Sequence, residues 1–153
     1  MKIISNLVEV HVFRETITGI EFLLLKRAMD QSYPGIWQMV SGKIKENERA
    51  YETAVRELNE ETGLKPLKLW SVPKVNSFYS SKLDSINLIP VFALKVEERT
   101  NVIMSYEHSE YKWVSLEETQ KLLAWEGQRK AVRLIEEYYL NELNFLNFLE
   151  IKI

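Results

Sequence analysis

Residues 42–64 read GKIKENERAYETAVRELNEETGL, and this stretch decides the fold of the chain. From Asn47 to Thr62 the pattern favours a helix, with Asn47 as the predicted N-cap and Gly63 as the predicted left-handed terminator. On a helical wheel the apolar side chains fall on one arc, which we expect to pack against a sheet. They are Ala50, Tyr51, Ala54, Val55 and Leu58.

The same predicted helix carries three carboxylates on one side. Glu57, Glu60 and Glu61 share a face because positions three and four residues apart are neighbours on a helix. Each exposed pair of like charges costs about 0.2–0.5 kcal/mol. A hard divalent cation, which prefers oxygen ligands, would remove that repulsion. The alternative is a solvated ladder of ion pairs, because Glu52, Arg56 and Glu60 follow one another at four-residue steps.

The rest of the chain alternates between strand and helix patterns. Residues 7–13 and 20–25 flank a Thr18-Gly19 turn and are predicted to form a hairpin. Further strands are expected at 37–40, 67–75, 86–96 and 111–114, and further helices at 116–123 and 128–140. Pro90 predicts an edge or a bulge. Alternation without regular βαβ spacing indicates an α+β fold rather than a doubly wound sheet.

Composition restricts the classes of function. The 153 residues suit a single domain, predicted to span 1–153. A formal net charge of −2 predicts neither nucleic acid nor a membrane as partner. The chain has no cysteine, which excludes a disulfide scaffold, a thiolate zinc site and a cysteine nucleophile. Without a signal-peptide pattern or a long apolar run, a cytoplasmic location is expected.

A fixed pattern of glycine, arginine and glutamate runs from Gly42 to Leu64. The residues match G-x5-E-x7-R-E-U-x-E-E-x-G-U at every fixed position, where U is a bulky aliphatic residue. This pattern is the signature of the Nudix hydrolases, so the chain resembles that family. The completeness of the match outweighs the interpretation as a ladder of ion pairs.

The resemblance implies both a fold and a reaction. Nudix proteins form an α/β/α sandwich with a mixed β-sheet between helices. They hydrolyse a nucleoside diphosphate linked to another group, with Mg²⁺ or Mn²⁺ as the cofactor. Divalent cations neutralise the polyphosphate and lower the pKa of the attacking water. The expected partner is therefore a small nucleotide or a related polyphosphate.

The resemblance also implies roles for individual residues of the motif in this chain. The resemblance implies that Glu57, Glu60 and Glu61 are catalytic carboxylates and metal ligands. Arg56 would orient a glutamate of the motif by charge-assisted hydrogen bonds. The carbonyl of Ser41, immediately before the motif, would be a further metal ligand and substrate contact. Three positions are expected to be structural, namely Gly42, Glu48 and Gly63.

Two flanking segments resemble one branch of the family. Residues 37–42 read WQMVSG and resemble the W-Q-S-V-[ST]-G approach of the dihydroneopterin triphosphate diphosphatases, which also cut dATP. Residues 107–113 read EHSEYKW and resemble that branch's E-H-x-x-Y-K-W stretch, which implies that Glu107 is a metal ligand. The favoured reaction is release of pyrophosphate from a nucleoside triphosphate or dihydroneopterin triphosphate. The P-K-G approach of dinucleoside polyphosphate hydrolases is absent.

Further side chains are candidates for substrate binding. Arg27 is predicted to contact phosphates, and Trp37, Phe78 and Tyr79 to stack on a base. His108 is a candidate general base or an orienting residue beside its neighbouring glutamate.

Three questions stay open at this level. The chain could act on a nucleotide sugar or a dinucleoside polyphosphate instead. It could also be a nucleotide-sensing module without catalysis, although the intact motif counts against that. The apolar tail at 143–153 fits a helix or a strand, and it either packs on the core or is buried in a homodimer.

Overall fold

Nine strands and four helices make up the chain, all of whose residues, 1 to 153, are described in a computed structural model. The strands are β1 (Lys2–Ile4), β2 (Leu7–Thr16), β3 (Gly19–Arg27), β4 (Trp37–Gln38), β5 (Val40–Lys43), β6 (Lys68–Ser80), β7 (Ser85–Val96), β8 (His108–Val114) and β9 (Glu150–Ile151). The helices are α1 (Ala50–Thr62), α2 (Leu116–Leu122), α3 (Glu126–Asn141) and α4 (Leu143–Leu146), and a 3₁₀ turn follows at Asn147–Leu149.

The strands form one mixed sheet. Its order is β4-β3-β2-β7-β6-β9, with β5 paired to β2, β8 to β3 and β1 to β7. The predicted hairpin of β2 and β3 is confirmed, with Phe13 opposite Phe22 in antiparallel register. In contrast, β2 and β7 run parallel, with Glu9 opposite Val91. The sheet therefore combines parallel and antiparallel pairs, as expected.

Helices cover both faces of the sheet. On one face α1 buries Ala54 and Leu58 against Val10 of β2. On the other face α3 buries Val132 and Ile135 in a second apolar cluster. The result is the α+β, three-layer α/β/α sandwich that the sequence predicted. None of the helices combines the length and the apolar character that a bilayer crossing requires.

The start of α1 corrects the sequence prediction. The helix begins at Ala50 with Arg49 at the N-cap, three residues after the predicted cap Asn47. Asn47 has a φ of +64°, a left-handed conformation that asparagine tolerates better than most residues, so it forms a turn before the helix. The other end is as predicted, because Gly63 has a φ of +71° and its N–H donates to the carbonyl of Asn59 at 2.8 Å.

The β6–β7 hairpin is longer than the sequence predicted. Strands were predicted at 67–75 and 86–96, but β6 continues to Ser80 and β7 begins at Ser85. Phe78 and Tyr79 therefore lie on a strand, held by backbone pairing to β7 that local composition does not reveal. The expected irregularity at Pro90 is confirmed, because the register between β6 and β7 shifts just before Pro90 pairs with Val75.

The apolar tail packs on the core. After α4 and the 3₁₀ turn, β9 pairs with β6, so the tail is first helical and then a strand. Leu146 is 1% exposed within the cluster under α3. The indole N–H of Trp70 donates to Asn147 Oδ1 at 3.3 Å. By contrast, Phe148 points outward and is 86% exposed.

One guanidinium joins the loop before α1 to the helix itself. Arg56 donates to both carboxylate oxygens of Glu48, from Nε at 2.7 Å and from Nη2 at 3.0 Å, and Nη2 also reaches the carbonyl of Lys43 at 3.0 Å. Its Nη1 donates to Glu57 at 2.8 Å and to Glu60 at 3.1 Å. The hydrogen bonds from Arg56, with a further one from Thr53, lower the pKa of Glu48 to about 2.

We expect the tail to contribute to stability through Leu146 rather than through its exposed aromatic residue. Leu146→Ala should lower the free energy of unfolding by about 2–5 kcal/mol, because it removes a fully buried side chain from the core. Phe148→Ala is the matched control and should change it by less than about 0.5 kcal/mol. Equilibrium urea unfolding measures both values. Equal effects of the two substitutions would contradict the docking of the tail.

We also expect the Glu48–Arg56 pair to make stability depend on acid pH. The pKa of Glu48 falls from the ordinary value of 4.5 to about 2, so its contribution is complete above 4.5 and is lost as pH falls towards 2. The stability difference between wild type and Glu48→Gln, measured by urea unfolding, should shrink over that interval. Glu117→Gln, at an exposed position on α2, is the control. A difference independent of pH would be inconsistent with this pair.

Candidate functional site

A cavity of about 740 Å³ lies beside β2, with β5 at one end and β6 at the other. This is a usual size for a site that takes a small molecule, for which the range is about 300–1,000 Å³. One end is formed by β5 and α1, with Ser41, Gly42 and Glu57, and includes Glu107. The other end is formed by β6. Residues at that end and at the mouth are Asn76, Ser77, Phe78, Tyr79, Tyr33, Trp125, Gly127 and Gln128.

Two glutamates of α1 meet the strand β5 at the first end. Glu61 is 3% exposed, and its Oε2 accepts a hydrogen bond from the Ser41 N–H at 3.3 Å. The carboxyl group of Glu57 lies so close to Gly42 that a Cβ at position 42 would collide with it. Glycine is therefore required at position 42 by close approach rather than by its backbone angles.

The charge of this pair is only partly compensated. Burial raises the pKa of Glu57 above its usual range, against the effect of Arg56. Burial, and then the charges of Glu57 and Glu107, raise the pKa of Glu61 well above its usual range. Arg56 bonds to Glu57 but not to Glu61, so Glu61 is a buried acid without a cationic partner.

His108 does not supply the missing positive charge. Its Nε2 lies 3.7 Å from Glu61 Oε1 and 2.9 Å from Gln38 Nε2. Burial, together with the charge of Arg27, lowers the pKa of His108 to about 4, so the ring is neutral near pH 7. Its Nδ1 is buried without a hydrogen-bond partner. Because the Gln38 amide donates to Nε2, the neutral ring offers Glu61 neither an N–H nor a positive charge.

The chemistry of these donors fits a hard divalent cation. No three histidine, aspartate or glutamate side chains are so arranged in the structure that they could hold one ion. However, Glu57 and Glu61 bring two poorly compensated carboxylates together, and Glu107 contributes a third to the same cavity. Mg²⁺ and Mn²⁺ prefer such oxygen ligands. Glu60 is half exposed and bonds to Arg56 on the solvent side.

The predicted substrate residues fall into two groups. Phe78, Tyr79 and Ser41 line the cavity. Arg27 lies beside it, with Nη1 3.7 Å from Glu107, and donates from Nε and Nη2 to Ser32 at 3.0 Å. Trp37 is not part of the wall. It packs against the apolar cluster under α3, and the ammonium groups of Lys26 and Lys112 lie over its ring.

Sequence reasoning missed several residues of the cavity, among them Tyr33, Trp125, Gly127, Glu9 and Asn76. Glu9 alternates with valines on β2, a pattern that usually places polar side chains in solvent. Here helices cover both faces, so Glu9 is buried in the cavity wall. The sequence did contain one indication of this site, because a charged residue such as Glu9 in a strand that helices cover on both faces must be buried.

Comparison with known proteins agrees with this geometry. The family model described as the NUDIX domain matches residues 8–135. Among curated relatives, the asymmetrical bis(5'-nucleosyl)-tetraphosphatase of Mus musculus is 29% identical over 74% of this chain and 77% of its own length. A protein of Myxococcus xanthus named octanoyltransferase is also 29% identical over 72% of this chain, but the match spans only 31% of that protein.

Solved structures share the fold. A Nudix hydrolase from Listeria monocytogenes superposes with a TM-score of 0.76 at 29% identity, covering 89% of this chain and 94% of the other. The dihydroneopterin triphosphate pyrophosphohydrolase of E. coli superposes with a TM-score of 0.69 at 23% identity, covering 85% and 93%. With the family model spanning most of its length and the motif complete, this chain belongs to the Nudix family of hydrolases.

Proposed function

We propose that this protein hydrolyses a nucleoside triphosphate or a pterin triphosphate to the monophosphate and pyrophosphate, with Mg²⁺ or Mn²⁺ as cofactor. The observation that carries the proposal is the pair of glutamates at one end of the cavity: Glu57 lines it, and the buried Glu61 bonds to Ser41 of its wall and has no cationic partner. A polyphosphate with its cations would supply the opposite charge there. The β6 end of the cavity would then receive the base or pterin ring.

Each residue at this end would have a distinct task. Glu57 and Glu61, with Glu107 and the carbonyl of Ser41, would hold the cofactor. When bound, it neutralises the phosphates and lowers the pKa of the attacking water. Arg56 fixes the orientation of Glu57 through their 2.8 Å hydrogen bond.

The reaction then needs one proton transfer and one bond cleavage. Water oxygen attacks a phosphorus, the bond from that phosphorus to the leaving phosphate oxygen breaks, and a carboxylate of this cluster that is free of the cofactor accepts the water proton. Gly42 leaves room for the Glu57 carboxyl group to approach β5. The buried position of Glu61 keeps its charge poorly screened by solvent, which strengthens its attraction for a cation.

A second candidate is asymmetrical cleavage of a dinucleoside tetraphosphate. It is favoured by the 29% identity to the mouse tetraphosphatase over 77% of that protein. It is also favoured by two exposed aromatic residues at the cavity mouth, Tyr33 and Trp125, whose rings meet edge to face at 6.4 Å and could accept a second base. Against it, Val40-Ser41 stands where the dinucleoside polyphosphate hydrolases have their P-K-G approach.

We expect Glu57→Gln and Glu61→Gln each to lower kcat by at least about 100-fold, because each removes a carboxylate charge from the cation site. The rise in Tm that Mg²⁺ gives to the wild type should disappear in the double variant, because ligand binding to the folded state is lost. Glu52→Gln, on the same helix but exposed, is the control and keeps its capping role. Wild-type rates in both single variants would show that the assignment is wrong.

A substrate panel with product identification separates the candidates. We expect a nucleoside or pterin triphosphate to yield pyrophosphate and a monophosphate, as detected by anion-exchange chromatography. A dinucleoside tetraphosphate cleaved asymmetrically yields a tri- and a monophosphate instead, and a nucleotide sugar yields a monophosphate and a sugar phosphate. If these ligands raise the Tm but no product forms, the protein is a nucleotide-sensing module and the proposed reaction is wrong.

A further inference from the structure

A polar group that the proposed chemistry does not use is buried in the cavity wall. Glu9, His11 and Asn76 are 3%, 2% and 9% exposed. Glu9 Oε2 lies 2.6 Å from His11 Nε2, and Glu9 Oε1 accepts a hydrogen bond from Asn76 Nδ2 at 2.8 Å. Glu9 and Asn76 both line the cavity.

This group extends from beside the proposed cation site to the far end of the cavity. Glu9 on β2 is the cross-strand partner of Ser41 on β5, whereas Asn76 lies on β6, beyond β7. Neighbouring strands are about 4.8 Å apart, so β6 lies about 14 Å from β5. A substrate whose phosphates meet Glu57 and Glu61 would therefore extend its ring past Glu9 towards Asn76.

Stability alone does not explain the buried carboxyl group of Glu9. Replacing buried polar clusters of this kind by apolar side chains is often neutral or stabilising. Phe13, on the same face of β2 as Glu9 and His11, is fully buried in the apolar cluster under α3, so this face of the strand accepts apolar side chains. A carboxyl group held from two sides in a cavity wall is instead the arrangement that a binding site needs, because its geometry is fixed before the ligand arrives.

The group presents acceptors to a ligand. A carboxylate has about four lone-pair sites, of which the bonds to His11 and Asn76 use two. Because Asn76 donates through Nδ2, its Oδ1 is left as an acceptor. That Oδ1 faces Gly127, where a Cβ would come within 2.6 Å of it. Glycine at position 127 thus leaves this oxygen in place.

We propose that Glu9 and Asn76 select a ring that carries adjacent N–H donors, the 2-amino-4-oxopyrimidine edge that guanine and pterins share. The ring N–H and the 2-amino group would both donate to the Glu9 carboxylate. Adenine instead offers a ring acceptor beside its amino group, which a carboxylate repels. Phe78 lies two residues after Asn76 on the same face of β6 and supplies a surface for stacking. The inference rests on the proposed function for the position of the phosphates.

The wild-type protein gives the first test. GTP and ITP differ only in the 2-amino group, so kcat/KM should be about 10- to 100-fold higher for GTP, the usual effect of losing a hydrogen bond to a charged group. Dihydroneopterin triphosphate, assayed in parallel, distinguishes a pterin from a purine as the source of this edge. Equal kcat/KM for GTP and ITP would overturn the inference.

Variants assign the selection to these residues. Glu9→Gln should bring the GTP-to-ITP ratio close to one, whereas Glu117→Gln, far from the cavity, should keep the wild-type ratio. If Glu9→Gln does not fold, Gly127→Ala provides the test. The added methyl group displaces the Asn76 amide and should lower the GTP-to-ITP ratio of kcat/KM. A folded Glu9→Gln with the wild-type ratio, or an unchanged ratio in Gly127→Ala when Glu9→Gln is unfolded, would overturn the inference.

A binding measurement separates this inference from the proposed function. Calorimetry with the α,β-imido analogues of GTP and ITP, in which the bridge that the proposed reaction cleaves is replaced by nitrogen, measures selection in the presence of Mg²⁺ without turnover. Tighter binding of the guanine analogue without hydrolysis of any triphosphate would support the selection and contradict the proposed reaction. Hydrolysis of GTP, ITP and ATP at equal kcat/KM would support the proposed reaction and contradict the selection of the ring.

Discussion

The guanidinium of Arg56 is the interaction on which the first end of the cavity depends. Its donors reach Glu48 and the Lys43 carbonyl on the loop and Glu57 and Glu60 on α1, so one side chain fixes the loop against the helix. A planar group with five donors can serve these partners at once, which lysine could not. Because these bonds end at Glu57 and Glu60, Glu61 is left as the buried acid without a cation.

This uneven distribution of charge connects the fold to the chemistry. Glu48 is stabilised as a carboxylate, with a pKa of about 2, whereas burial raises the pKa of Glu57 and Glu61. The surroundings alone thus divide the carboxylates of one short motif into a member with a lowered pKa and two members with a raised pKa. The member with the lowered pKa lies where Arg56 bonds to both of its oxygens. Glu57 and Glu61, the proposed cation ligands, lie where the helix meets β5, and burial of their charge there is costly without a cation.

The sequence predicted best those features that depend on neighbouring residues. The amphipathic face of α1, its glycine terminator and the β2–β3 hairpin follow from local patterns, and all three are present. The start of α1 was misplaced because Asn47 takes a left-handed turn conformation before the helix. The length of the β6–β7 hairpin and the path of the tail depend on pairing between strands. The cavity likewise depends on contacts between residues that are distant in the sequence. Glu9 and Asn76 are 67 positions apart, and no local pattern indicates their hydrogen bond.

The two ends of the cavity are consequently built in different ways. The end at Glu57 and Glu61 comes from one continuous motif, whose internal bonds join the loop to the helix. The end at Glu9 and Asn76 is assembled from β2, β6 and the start of α3, so a single substitution on any of these elements changes the surface that a ring would meet. Gly127 illustrates this, because one methyl group there would displace the Asn76 amide. A fold of this design can keep its cation chemistry constant while the choice of substrate varies, which explains why the motif identifies the family but not the substrate.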